Sequence, residues 1–302
     1  MAARQLRWLL CGELLGYLFW GYWLASRCGW SSGEVAWLVA GFMFGVRLLF
    51  VLTTFALARP ASDPLPPAMC AGPLGAVRMV IEEYIALCLL FTVVQPFERF
   101  WLGPDRLAHC AARPTPLLLI HGYQCNRGFW FWLRRKLEAA GWTVGTHSLE
   151  PVFGDIDGYV DGIARRIDEV LAATGAPQVI LVGHSMGGLA SRAYLRRHGT
   201  ARVARLITLG TPHQGTQLAR LGLGPNARQM RLGSPWLGAL AAPLPPASVS
   251  IYSVHDNYVY PQQACSTLEG ASGAVLVGVG HLGMAISPRV LRSLLAALET
   301  SA

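Results

Sequence analysis

The chain has 302 residues, room for one α/β domain of ordinary size and something smaller. It is 53% apolar and only 14% charged, well below the roughly 25% charged residues of an average globular protein, so part of it is expected to meet lipid rather than water. The net charge of +8 is almost wholly arginine, with Lys136 the single lysine; no basic run is interleaved with aromatics, which argues against nucleic acid as a partner and fits a basic surface beside an anionic membrane.

The first segment, 8–25, is an almost unbroken apolar run between Arg4 and Arg7 on one side and Arg27 on the other. Its length suits a bilayer span of about 20 residues. It is long for the apolar core of a signal peptide, and no small-x-small cleavage site follows it. A second run, 35–58, ends at Arg59-Pro60. A short Gly/Ser loop joins the two, which predicts a helical hairpin. Each run holds a GxxxG, at Gly12/Gly16 and Gly41/Gly45, the spacing that lets membrane helices pack closely; a glycine-rich composition accounts for both equally well.

The third segment, 77–97, has an apolar stretch at 84–94 preceded by Arg78, Glu82 and Glu83. Spanning and lying in the interface as an amphipathic helix are both open to it. Arg47 and Glu13 fall in the same leaflet half, and a third span would bring Glu82 and Glu83 there too. A charge in lipid is costly unless paired, so an Arg–Glu cluster among three helices is expected, with Arg47 snorkelling alone as the alternative. Arg4 and Arg7 favour a cytoplasmic N-terminus. Three spans then give a multi-pass protein of a bacterial inner membrane with its catalytic domain on the periplasmic side, the topology adopted here; two spans leave that domain in the cytoplasm. The boundary is placed between a membrane-anchoring region, 1–98, and a catalytic domain, 99–302.

In the second region, 117–120 is a short, wholly apolar run, as expected of a strand buried on both faces. Strands are also predicted at 142–149, 178–182, 203–209, 249–254 and 274–279, and helices at 129–140, 155–174, 186–198 and 288–299. Strands alternating with helices imply an α/β fold: a mostly parallel sheet flanked by helices, with its site at the strand C-terminal ends. Of seven cysteines, Cys11, Cys28, Cys70 and Cys88 lie in the first region and Cys110, Cys125 and Cys265 in the second. They form no metal pattern. One disulfide, Cys125 with Cys265 for instance, is open to the last three, but free buried thiols are the simpler reading.

Gly183-His184-Ser185-Met186-Gly187 lies directly between a predicted strand and a predicted helix. A sharp turn there lifts a serine hydroxyl clear of the sheet, and the flanking glycines relieve its crowding. Ser185 is therefore the candidate nucleophile. It needs a base, and His281, on the loop after the last strand, is placed for it. His121 and His184 sit inside glycine motifs, and His213 lies in a loop that reads as structural. His109, His147, His198 and His255 have no such placement. Asp256, in the turn after the strand before last, is the candidate partner of the histidine; Asp155, Asp157 and Asp161 precede the nucleophile and look like a helix start. The oxyanion donors are expected to be the amides of Met186 and of Tyr123, in the loop after 117–120. The aromatics Phe129-Trp130-Phe131-Trp132 either line an acyl pocket or pack a helix on the sheet.

Together, Leu119-Ile120-His121-Gly122, Gly183-His184-Ser185-Met186-Gly187-Gly188, Leu209-Gly210-Thr211-Pro212-His213-Gln214-Gly215-Thr216 and the Asp256 and His281 loops resemble the bacterial triacylglycerol lipases and esterases of the α/β-hydrolase superfamily, over roughly 114–300. The resemblance implies an α/β-hydrolase fold preceded here by transmembrane helices, and a lid or cap at 217–247. Some such lipases carry a structural calcium, whose ligands find no match in this chain; no cofactor and no metal are expected. The expected function is hydrolysis of carboxylic esters, lipid or small, through an acyl-serine. An acyltransferase using the same triad, a non-catalytic membrane scaffold and a transporter are the alternatives.

Overall fold

The computed structural model describes residues 2–107 and 113–299; His109 and Cys110 lie outside them. Six strands form one sheet: β1 (Leu117–Ile120), β2 (Val144–His147), β3 (Val179–His184), β4 (Val203–Leu209), β5 (Val249–Ser253) and β6 (Ser272–Leu276). Their order is β2-β1-β3-β4-β5-β6, and every pair is parallel. β1 and β3 are buried along their whole length, which is why they read as continuous aliphatic runs rather than as an alternation. The chain steps from β1 outward to β2, then returns to the other side of β1 for β3. Strand order therefore reverses between β1 and β3, and the crevice beyond their C-terminal ends is the natural ligand site of such a sheet.

Helices cover both faces. The long helices that follow the N-terminal region in sequence are Phe131–Ala139, Val160–Thr174, Met186–His198 and Pro288–Glu299. The second and third pack with Leu118, Ile120, Leu181 and Leu206 in one core; the first and last pack with Leu117, Leu119, Val182 and Ile207 in the other. Each fully buried aliphatic side chain contributes about 1.5–3 kcal/mol. The expected strands and helices are all present, with ends displaced by up to a few residues. Helix Met186–His198 meets β1 closely: a Cβ on Gly187 would collide with the carbonyl oxygens of Ile120 and His121, backbone atoms that cannot swing aside. The loop 210–248 carries only short helical turns, Gln217–Arg220, Gly224–Gln229 and Pro235–Gly238.

The N-terminal region begins with α1 (Ala2–Cys28) and α2 (Ser32–Ala58). Ser31 starts α2 with a capping box: its hydroxyl accepts from the Glu34 amide while the Glu34 carboxylate accepts from the Ser31 amide. The helices form the expected hairpin, tied by Arg47, whose two guanidinium nitrogens each donate to a Glu13 oxygen at 2.7 Å. Neither GxxxG lies at the contact, since a Cβ at Gly12, Gly16, Gly41 or Gly45 would meet nothing within 4 Å; the close approach is instead at Gly21, against Val35. Trp8, Phe19, Trp20, Trp37, Phe42 and Leu49 are among many large apolar side chains left exposed on the pair. Among the described residues, one helix is long and apolar enough to cross a membrane: Ser32–Ala61, of mean hydropathy 2.2. α1 is equally long in its helical span, but Arg4, Arg7, Glu13 and its Trp, Tyr and Gly residues dilute its hydropathy.

The third segment departs from expectation. α3 (Pro73–Cys88) continues through a π-helical stretch, Leu89–Val94, and a turn, Gln95–Phe97. One face, Met79, Glu83, Ala86, Leu90 and Val94, is buried, with Ala86 and Leu90 in the core cluster that lies against the sheet. The other face, Leu74, Val77, Ile81 and Ile85, is exposed. It is thus a helix docked on the α/β half of the chain rather than a third independent span. Glu82 pairs with Arg78 one turn away at 2.6 Å, and Glu83 turns into the domain, so the charge cluster reduces to Arg47 and Glu13. The acids stand on different faces because adjacent helical residues point about 100° apart.

Two outcomes follow. Gly187→Ala should destabilise the protein by about 3 kcal/mol, the upper range for overpacking, read as a lowered Tm in detergent. Arg47→Glu should lower the yield of folded protein, and Glu13→Arg in the same chain should restore it; a double variant no better than the single one would deny the pairing.

Candidate active site

β3 ends at His184 and the next helix begins at Met186, so Ser185 must reverse the chain alone. It does so at φ 54, ψ −126, a left-handed conformation that costs a non-glycine residue about 1–3 kcal/mol and persists only where its surroundings enforce it. Here the Ser185 amide donates to the Leu209 carbonyl at 2.9 Å, and the Ser185 carbonyl accepts from the Gly188 amide and the Thr211 hydroxyl, each at 3.0 Å. The side chain stands over the N-terminus of helix Met186–His198, whose first amides have no intrahelical acceptor. Met186 is the first of these.

The loop after β1 closes on the same point. Gly122 passes so near that a Cβ there would lie 2.8 Å from that of Ser185. Tyr123 follows it, its hydroxyl exchanging hydrogen bonds with the Leu223 amide and carbonyl at 2.8 Å. Asn126 shapes the rest of the turn by accepting from Gly128.

Asp256 and His281, 25 residues apart in sequence, meet at 2.8 Å between Oδ2 and Nδ1. The other carboxylate oxygen accepts from the amides of Tyr258 and Val259, both at 2.8 Å. An ionised carboxylate only accepts, so Nδ1 carries the hydrogen and Nε2 is left with its lone pair. The His281 ring lies 4.6 Å from that of His184, the residue before the serine, and 4.9 Å from Tyr258, edge to face. His184 stacks in turn on Phe129 at 4.1 Å, so Phe129 supports the site while Trp130 is core. Asp155, Asp157 and Asp161 are engaged elsewhere, with Gln229, Arg196 and Arg197.

Three further histidines are buried around the site. Burial pushes His121 down to about 4, and drives His184 and His213 well below their usual value, with the neighbouring His281 ring and the Arg192 charge respectively adding to the effect. His121 is held as a neutral ring: its Nε2 accepts from the Leu149 amide at 2.9 Å and its Nδ1 faces the Gly122 carbonyl at 2.8 Å. His213 lies against Thr208 Oγ1 at 3.0 Å. Cys125 and Cys265 are free buried thiols, raised by burial to about 12. Among the described residues, no group of three or more His, Cys, Asp or Glu is placed to hold a metal.

Residues that the sequence did not assign to the site also meet here. Asn257 Oδ1 accepts from the His281 amide at 2.9 Å. Glu83 accepts from the amides of Leu282 and Gly283 at 2.9 and 2.7 Å. Gln95 Oε1 accepts from the Asn126 amide at 2.8 Å. Thr54, whose Oγ1 accepts from Asn257 Nδ2, Glu83 and Gln95 sit in the N-terminal region, 203, 199 and 31 residues from these partners, and spacing along the chain carries no signal of such contacts.

Residues 115–231 match the family described as alpha/beta hydrolase fold. Triacylglycerol lipases of Pseudarthrobacter phenanthrenivorans and Burkholderia plantarii are each 35% identical to this chain over 117 residues; the match covers 36% of this chain and 36% and 32% of those relatives, about a third of their length. The crystal structure of Aspergillus fumigatus lipase B superposes with a TM-score of 0.59 at 19% identity, over 70% of this chain and 59% of that one, a likeness of fold. Strand order, the strand–serine–helix turn and these matches agree that the chain has an α/β-hydrolase fold, a parallel sheet flanked by helices.

Proposed function

We propose that the protein is a serine-dependent carboxylic ester hydrolase that acts on lipid esters at a membrane. The observation that carries this reading is the buried Asp256–His281 pair, 2.8 Å apart, whose imidazole ring lies 4.6 Å from that of His184, the residue before the strained Ser185. Ser185 Oγ attacks the ester carbonyl carbon while His281 Nε2 takes its proton. The oxyanion forms beside the amides of Tyr123 and Met186. Its collapse breaks the carbonyl–alkoxy bond, the leaving alcohol takes the proton from His281, and an acyl-serine remains. Water then attacks, His281 accepting one proton and returning one to Ser185, and the acid departs. Asp256 holds the imidazole in the required tautomer and stabilises its charged form. This chemistry calls for no cofactor.

Lipid esters are favoured because residues 1–98 form the membrane-anchoring region and 99–302 the catalytic domain beside it. The segment 217–247 serves as the cap, with Tyr123 holding it through Leu223 and with Leu221 and Leu223 exposed at its tip. The periplasmic placement expected from three spans loses its basis once α3 docks on the catalytic domain. α1 and α2 run as a hairpin, and the start of α1 touches the catalytic half: Arg7 donates to the Pro96 carbonyl at 2.7 Å and the Ala2 amide to Glu150. Only Ser32–Ala61 has the length and hydropathy of a span on its own; the proposal is that α1 crosses beside it as its hairpin partner, which puts both chain ends on one side of the membrane, and Arg4 and Arg7 favour the cytoplasmic side.

Detergent-purified protein should release p-nitrophenol from acyl esters, and Ser185→Ala should lower kcat by roughly 10⁴-fold or more; equal rates for the two proteins would sink the serine mechanism. Reporters fused to the N- and C-termini should both read cytoplasmic, and opposite readings would remove the hairpin. Stability should also depend on pH through the buried histidines. Their folded pKa values lie below the unfolded value near 6.5, so the unfolded chain binds more protons in that interval. Stability is full above about 6.5 and falls as pH drops below it, for His121 down toward about 4. A Tm that stays level from pH 7 to pH 4.5 would contradict this.

A further inference from the structure

The helices that anchor the chain also reach the catalytic loops. His281 opens the short turn Leu282–Ala285 as its cap residue. The first two amides of that turn have no acceptor within it; they donate to the two oxygens of Glu83, on α3, at 2.9 and 2.7 Å. Glu83 is wholly buried and lies so close to Gly280 that a Cβ there would strike its carboxylate. It therefore caps, from another element, the turn that carries the base, and a carboxylate at such an N-terminus is the favourable charge.

A second chain of bonds starts on α2. Thr54 Oγ1 accepts from Asn257 Nδ2 at 2.8 Å, and Asn257 Oδ1 accepts from the His281 amide at 2.9 Å. Thr54 and Asn257 are both buried. Phe50, one turn earlier on α2, packs its ring 6.5 Å from that of Tyr258, which stands edge to face with His281. The Asp256 loop is tied in the same way just past α2: Gln262 Nε2 donates both to the Asp256 carbonyl at 2.9 Å and to Ser62 Oγ at 3.0 Å, and the Gln263 amide donates to Asp63 at 2.7 Å.

We propose that the N-terminal helices complete the active site, with Glu83 and Thr54 as positioning residues that fix the His281 loop. Neither touches the reacting atoms. The backbone on either side of His281 takes its place from groups on α2 and α3, so the base is set for Ser185 only while those helices are docked. The catalytic half is then not a free-standing hydrolase on a tether, and movement of α2 relative to it changes turnover. This inference rests on the serine mechanism above.

The test uses the full-length protein in detergent. A fluorophosphonate probe counts reactive serines, and kcat and KM for p-nitrophenyl butyrate are expressed per labelled serine. Glu83→Gln keeps the shape but turns an amide NH2 toward one of the two backbone amides; kcat per labelled serine should fall roughly 10- to 100-fold, the cost of a misplaced catalytic group, with KM little changed. Thr54→Val removes one hydroxyl and should lower kcat by roughly 2- to 10-fold, as for one buried hydrogen bond, while Thr54→Ser should restore it. If Glu83→Gln does not fold, the Thr54 pair decides. Variants that lose Tm or labelled fraction but keep kcat per labelled serine within twofold would overturn the inference and leave the serine mechanism intact. A wild-type protein labelled no more than Ser185→Ala would overturn the mechanism itself, and this inference with it.

Discussion

The backbone at Ser185 is the constraint on which the rest of the molecule turns. A serine at φ 54 between a strand and a helix is a conformation no local preference supports. It is held by the Leu209 carbonyl, the Thr211 hydroxyl and the close passage of Gly122. Those three contacts come from β4, from the loop after β4 and from the loop after β1. The strained turn therefore exists only when the central strands are in register, and the same register brings the β1 loop beside the serine. Fold and site form together.

Around this turn the protein has chosen neutral polar packing over solvent. His121, His184 and His213 are buried without charge, and the aromatic stack from Phe129 through His184 reaches His281. Water excluded from this region strengthens the Asp256–His281 interaction, since electrostatic attraction grows as the local dielectric falls. The same exclusion makes any unpartnered amide in the His281 loop expensive, which is the physical reason that Glu83 and Asn257 must be where they are.

The N-terminal region thus serves two environments. Its outward faces are apolar, with exposed Trp, Phe and Leu side chains along α1, α2 and α3. Its inward face supplies Thr54, Glu83 and Gln95 to the loops of the α/β half. α3 shows the division within one helix: Ile81 and Ile85 point out, Glu83 and Ala86 point in.

Much of this was legible in the sequence. Short aliphatic runs such as 117–120 are what strands buried on both faces look like, and their alternation with helices implies a parallel sheet. The Ser185 pentapeptide and the glycine after His121 follow from what a sharp turn and a close approach demand of residue types, while the pairing of Asp256 with His281 was suggested by the resemblance to the α/β-hydrolases. The hairpin and the pairing of Arg47 with a glutamate were also readable, because charge in an apolar run needs a partner. The role of 77–97 was not. Its composition fits a span and a docked helix equally, since both leave one apolar face for a nonpolar neighbour. Only tertiary packing decided that Glu83 meets Leu282 and Gly283 instead of Arg47, and that Gly21 rather than either GxxxG lies at the helix contact. Such choices depend on which surfaces meet across some 200 residues of chain, and a one-dimensional pattern holds periodicity and local turn chemistry but not the relative placement of distant faces.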